Sequence, residues 1–170
     1  IGEKNIPDIF QICKESWSKF CPDYELYFWN ESNLDFNKDF LRILYKKSLY
    51  SKLSNYFRIY VIEKYGGIYL DVDVELVKSL DKLLSCNGFI GFSSDNYINS
   101  GAAVGSSKNY KLTKELLEFY EDLYKKQLYN NIEISNSPIV ESNFFQKKGY
   151  ILNNENQNIN DFLLLNSDTF

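Results

Sequence analysis

The 170-residue sequence contains no histidine. That absence removes Ser-His and Cys-His nucleophile arrangements and every imidazole-based metal site. Any chemistry must then come from carboxylates, amides, tyrosines, lysines or arginines. Cysteine is scarce: Cys13, Cys21 and Cys86 are odd in number and lack CxxC spacing, which suggests neither a disulfide framework nor a zinc centre. A reduced, cytosolic setting is expected. Basic surplus is also missing, with a formal net charge of -4 and a pI near 5.0. This argues against a nucleic-acid partner, whose phosphates need a basic face. No apolar run approaches the ~20 residues of a membrane span, and the opening residues do not read as a signal peptide.

Aromatic residues are plentiful, with 14 Tyr and 13 Phe, which favours a packed globule over a disordered chain. The length fits a single domain over residues 1–170, without internal repeats. Hydrophobic spacing predicts helices over Pro7–Phe20, Lys38–Ser48, Lys52–Tyr65 and Lys111–Gln127, a short one over Ser79–Leu84, and another from Ser137-Pro138 to Gly149. The first should bury a stripe of Ile9, Ile12, Cys13, Ser16, Trp17 and Phe20. Strands are expected at Tyr24–Asn30, Ile68–Val74, Gly88–Ser93, within Ile98–Ser107, and at Phe162–Asn166, with Asn153–Asp161 a polar loop. Helices alternating with short strands indicate an α/β domain with a largely parallel sheet. Trp17 and Trp29 read as core residues.

The stretch Tyr65–Leu76, YGGIYLDVDVEL, runs from a glycine pair through an apolar strand into two aspartates. Side chains at i and i+2 of a strand share a face, so Asp71 and Asp73 should project together while Val72 packs the other way. Two such carboxylates repel, and a divalent cation removes the conflict; hard oxygen ligands suit Mg2+ or Mn2+. Glu75 falls on the same side, as a third acid or in solvent. Tyr69 lines the pocket or packs in the core. Gly66-Gly67 is first a helix stop and second a place of close approach to ligand.

The wider string, Ser54-Asn55-Tyr56-Phe57-Arg58 followed by Tyr65-Gly66-Gly67-Ile68-Tyr69-Leu70-Asp71-Val72-Asp73, resembles the donor-site signature of glycosyltransferase family 32. That group holds capsular polysaccharide enzymes and fungal mannosyltransferases, with the clostridial glucosylating toxins as remoter relatives. The resemblance extends to SWSKFCPDYELYFWNE, LDKLL, GFIGF and INSGAAVGS. It implies a GT-A type fold, a Rossmann-like nucleotide-sugar-binding sheet flanked by helices, and retaining sugar transfer. In that reading Asp73 is the direct metal ligand and Asp71 reaches the ribose and, through water, the metal. Arg58 faces the donor sugar and phosphates, and Asn99 lies beside the sugar. Asn55, Gly67 and Tyr69 complete the donor site, and Asp71, Asp73 and Arg58 are the catalytic set. The cofactor implied is Mn2+ or Mg2+. The partners implied are a UDP-sugar donor and a saccharide or lipid-linked acceptor in capsule-type polysaccharide or glycolipid synthesis. The implied setting is cytoplasmic, with weak association to the inner face of a membrane. The family pattern has Ser-Asp where this chain has Ser54-Asn55, and the family's first strand and C-terminal lid are expected to be missing.

Two further readings stand beside this one. A catalytically weak nucleotide-sugar-binding domain, or a protein-glycosylating transferase, would use the same residues. A haloacid-dehalogenase-type phosphatase would make Asp71 the nucleophile and Asp73 the acid/base. It expects an acidic pair further along the chain, and no Asp-Asp pair follows.

Overall fold

The computed structural model describes residues 8–101 and 103–169; Pro7, where the first expected helix begins, and Ala102, inside the expected fourth strand, lie outside them. Among the described residues five α-helices and five strands form one mixed sheet flanked by helices. The helices are α1 (Ile9–Phe20), α2 (Asp39–Lys46), α3 (Tyr50–Tyr65), α4 (Lys111–Tyr129) and α5 (Ser137–Lys147). The strands are β1 (Gly67–Tyr69), β2 (Gly88–Gly91), β3 (Val104–Ser106), β4 (Gln157–Ile159) and β5 (Phe162–Leu165).

The sheet order is β1-β3-β2-β5-β4. Only β2 and β5 run parallel; the β1–β3, β2–β3 and β4–β5 pairs are antiparallel. This corrects the expected, largely parallel sheet. For β4 and β5 antiparallel pairing follows from their two-residue connection, Asn160-Asp161, which is too short for a helical crossover.

Alternation along the strands sorts side chains to two faces. Ile90, Val104, Phe162 and Leu164 join the main core with α2 to α5. Phe89, Ala103 and Leu165 point the other way. There Ile68, Leu70 and Leu83 connect them to a second cluster of Cys13, Trp17, Cys21, Leu76 and Leu80. So α1 covers the reverse face. Its outer residues Ile9 and Ile12 are exposed, against the expected stripe; only Cys13, Ser16 and Trp17 are buried.

Two other expectations fail for local reasons. Tyr24–Asn30 forms no strand. Asn33 takes up its polar backbone, the Nδ2 donating to the Phe28 carbonyl at 2.8 Å and the Oδ1 accepting from the Asn30 amide at 2.8 Å. Trp29 instead packs on Tyr65, ring centroids 4.9 Å apart. Conversely, the polar run Asn153–Asp161 contains β4, an edge strand turning into β5 through Asn160 and Asp161 at φ 54° and 63°. Asn and Asp tolerate that left-handed geometry, which a two-residue hairpin requires.

The helix that leads into the aspartates ends as its glycines suggest. Gly66 has φ 76° and its amide donates to the Ile62 carbonyl at 2.8 Å. A Cβ there would lie 2.9 Å from the Lys108 amide nitrogen. The chain therefore reverses tightly from α3 into β1. Among the described residues, no helix is long and apolar enough to cross a membrane.

Candidate active site

Asn55 and Arg58 lie one turn apart on α3, which is buried along most of its inner side. Arg58 is only 5% exposed. A buried guanidinium is tolerable when a carboxylate meets it. Asp71 does so: Arg58 Nη2 donates to both of its carboxylate oxygens, at 2.9 and 3.1 Å. The Tyr69 hydroxyl donates to Asp71 Oδ1 at 3.0 Å, and the guanidinium sits 5.4 Å from the Tyr69 ring centroid. Burial works against the charge on Arg58, but Asp71 and other neighbours outweigh it and raise its pKa. Burial raises Asp71, with Asp73 adding to it, while Arg58 and Tyr69 pull it down; the net direction is upward. Tyr69 is pushed up to about 12 by burial and by the Asp71 charge.

The aspartates do not continue the strand. Pairing stops at Tyr69, and the Val74 amide closes a turn onto the Asp71 carbonyl at 3.1 Å. Val72 is consequently 47% exposed, not packed. Asp73 is exposed on the same turn, with Glu75 beyond it. The two carboxylates thus face different surroundings, Asp71 half-buried against Arg58 and Asp73 open to solvent. What fixes this turn is α1. Trp17 Nε1 donates to the Val74 carbonyl at 2.7 Å, and Ser16 Oγ accepts from the Leu76 amide at 2.8 Å. These contacts span 57 and 60 residues of sequence, so nothing local announces them.

Asn99 and Gly101 approach from the opposite side. The Asn99 Oδ1 accepts from the Gly101 amide at 2.9 Å. A Cβ on Gly101 would fall 2.9 Å from that oxygen and 3.4 Å from Arg58 Nη1, so glycine allows the close approach. Between them Ser100, fully buried, accepts from Arg58 Nη1 at 3.4 Å. Glu141 of α5, also fully buried, accepts from the Ser100 amide at 2.8 Å, from the Ser100 hydroxyl, and from the Tyr120 hydroxyl at 2.8 Å. Burial raises the Glu141 pKa against those bonds and the Arg58 charge.

The structure therefore brings Arg58, Tyr69, Asp71 and Asn99 together, with Asp73 at the rim. Asn55 is placed differently: it is 8% exposed and its side chain faces Tyr124 of α4. Gly67 starts β1, opposite Ser106, at the far end of that strand from Asp71. Its φ of 99° accounts for glycine there. Ser100, Tyr120, Glu141 and Trp17 were not legible as site residues. For Glu141, a lone acid at an inward position of an apolar helix was the available signal.

Asp71 and Asp73 are donors of the type a hard divalent cation takes. Among the described residues no three or more carboxylates or thiols converge on one position. The chain offers Asp73, with Asp71 behind it, and Mg2+ or Mn2+ commonly completes its shell with phosphate oxygens and water. Both donors are carboxylate oxygens, the type such ions prefer.

Residues 7–90 match the family model described as glycosyltransferase sugar-binding region containing DXD motif. That region runs from α1 through most of β2 and includes Arg58, Asp71 and Asp73, but not Asn99 or Glu141. Among solved structures, PaToxG Glycosyltransferase superposes with a TM-score of 0.63 at 17% identity, over 86% of this chain. This is a glycosyltransferase fold. The chain spans 65% of the length of that structure. No curated protein matches the chain. The GT-A-like architecture expected from the sequence is therefore present, with its DXD motif on the turn after β1.

Proposed function

We propose that this chain is a glycosyltransferase that moves a sugar from a nucleotide-sugar donor, a UDP-sugar, to a saccharide or lipid-linked acceptor, with retention and with Mg2+ or Mn2+. The observation that carries the reading is the Arg58–Asp71 pair just past β1, with exposed Asp73 on the same turn. Arg58 is a permanent planar cation held in a fixed direction by its carboxylate partner, suited to a diphosphate. Asp71, half-buried and held in place by that contact, would accept hydroxyl donors such as those of a ribose. Asp73, free in solvent, would hold the cation, with Asp71 behind it. A bound divalent cation supplies neutralisation of the charge that develops on the diphosphate as the glycosidic bond breaks. Asn99, held against Gly101, presents its amide beside the donor sugar.

Narrower assignments rest on the resemblance to family 32: the retaining outcome, the capsule-type polysaccharide or glycolipid acceptor, and the cytoplasmic setting at a membrane face. The phosphatase alternative needs Asp71 free to attack, whereas it sits in a bidentate contact with Arg58. A pure binding role differs only in turnover.

The test is thermal. Mn2+ with a UDP-sugar should raise Tm, because a ligand that binds only the folded state must do so. Asp73→Asn should abolish the rise while leaving the ligand-free Tm almost unchanged, as the side chain is exposed. No rise with any nucleotide sugar and metal would remove the reading. A rise without hydrolysis or transfer would leave a binding domain.

A further inference from the structure

Glu141 belongs to no part of the donor machinery described above, yet it is among the most deeply buried charged groups in the fold, at 0% exposure. A carboxylate removed from water requires compensation. Here the compensation comes from two residues. Ser100 donates both its amide and its hydroxyl, and Tyr120 donates its hydroxyl. Because the Ser100 hydroxyl proton is directed at Glu141, its lone pairs are left for Arg58 Nη1, 3.4 Å away. One connected line results: Glu141, Ser100, Arg58, Asp71. A single buried cation stands between two carboxylates.

The same helix fixes the loop at a second point. Ser142 Oγ accepts from the Ile98 amide at 2.9 Å, two residues before the Ser100 amide meets Glu141. Asn99 lies between those anchors, so its direction depends on both. Only the Glu141 anchor continues to Arg58.

We propose that Glu141, acting through Ser100, is a positioning residue of the site: it holds the guanidinium of Arg58 and keeps it compensated when Asp71 turns to a ligand. This rests on the donor-site reading given above. The physical need is plain. At 5% exposure Arg58 cannot rely on water, and its partner Asp71, 28% exposed, is the group that a ribose or cation would recruit. Without a second carboxylate, each recruitment of Asp71 would strand a buried cation. With Glu141 in place, Asp71 is free to exchange partners.

The test uses the fact that Arg42 and Arg58 are the only arginines in the chain. A 15N spectrum therefore shows two arginine Nε–Hε signals, and Arg58→Lys assigns one. The Arg58 Nε is buried and has no hydrogen-bond partner, so its proton reports on how tightly the group is held. Ser100→Ala and Glu141→Gln should shift that signal and speed its exchange with water several-fold. Ser142→Ala removes a buried hydroxyl from the same helix and loop but not from the line to Arg58, and should leave the signal where it is. In donor hydrolysis, Ser100→Ala should lower kcat roughly tenfold with KM within about twofold, the loss of one charge-assisted bond felt in the reacting complex. An Arg58 signal unmoved by Ser100→Ala and Glu141→Gln overturns the proposal, as does an equal response to Ser142→Ala. Should the unaltered protein hydrolyse no nucleotide sugar, the transferase reading fails by itself, and the Arg58 spectrum still decides the role of Glu141. If Glu141→Gln fails to fold, Ser100→Ala carries the comparison.

Discussion

Arg58→Met is the most informative single change to the core of the site. The substitution keeps a long apolar stem and removes the charge. In the folded protein Arg58 faces Asp71 directly and Glu141 through Ser100. Removing one partner from a buried ion pair costs about 3–5 kcal/mol when the other is left stranded. That figure needs discounting here, because Asp71 is 28% exposed and can turn to water, while Glu141 keeps three donors. We expect a loss of about 2–3 kcal/mol, which in a domain of this size lowers Tm by about 4–12 °C. The loss should depend on pH in a defined direction. Glu141 and Asp71 already sit above their ordinary values of 4.5 and 3.8, and losing the cation raises them further. An acid whose folded value is raised binds its proton more tightly folded than unfolded, so stability falls as pH rises through that raised value. The deficit of Arg58→Met should therefore be small near about pH 4 and grow toward neutrality. Adding Glu141→Gln removes the stranded charge. The double variant should be more stable than the sum of the single effects by about 1 kcal/mol or more. Circular-dichroism melts at several pH values measure both quantities. A deficit independent of pH, or simple additivity, would refute the argument that the two carboxylates share one cation.

Three other outcomes follow from single contacts. Trp17→Phe keeps the ring in the second core cluster but deletes the bond to the Val74 carbonyl; about 1–2 kcal/mol of stability should go, and the Tm response to Mn2+ and UDP-sugar should weaken although Trp17 touches neither carboxylate, which calorimetry with and without ligand would detect. Gly66→Ala meets both a φ of 76° and a Cβ only 2.9 Å from the Lys108 nitrogen, so urea denaturation should show a loss of about 2 kcal/mol or more, in contrast to Gly149→Ala, whose added methyl finds open space and pays only for φ 92°. Burial raises Glu121, but Lys125 and Lys38 outweigh it and lower its pKa below 4.5, so its stabilisation is present above that value and lost as pH falls through the lowered one; the Tm deficit of Glu121→Gln at pH 7 should shrink as pH falls below 4.5.

Helix α3, its glycine stop and the acidic pair after β1 were legible because each is a short-range pattern. A 3.6-residue period, a pair of glycines and a DxD spacing survive in a linear string whatever the rest of the chain does. The same locality explains the failures. Tyr24–Asn30 has the composition of a strand, but pairing needs a neighbour, and the side chain of Asn33 supplied its hydrogen bonds instead. Gln157–Ile159 looked like loop because an edge strand open to water needs no apolar alternation.

From the sequence alone came the glycosyltransferase resemblance, the lack of histidine in these 170 residues, and Arg58, Asp71 and Asp73 as candidate site residues. Tertiary structure alone decided that the two aspartates are unlike: one is half-buried against a guanidinium and the other stands in solvent on a turn clamped by Trp17. It also decided that Asn55 faces Tyr124, and that Glu141, 83 residues beyond Arg58 in the chain, shares its charge. The division has a physical cause. Burial and ion pairing are properties of the surroundings that a side chain meets after folding, and those surroundings come from segments whose separation along the chain carries no trace in either one.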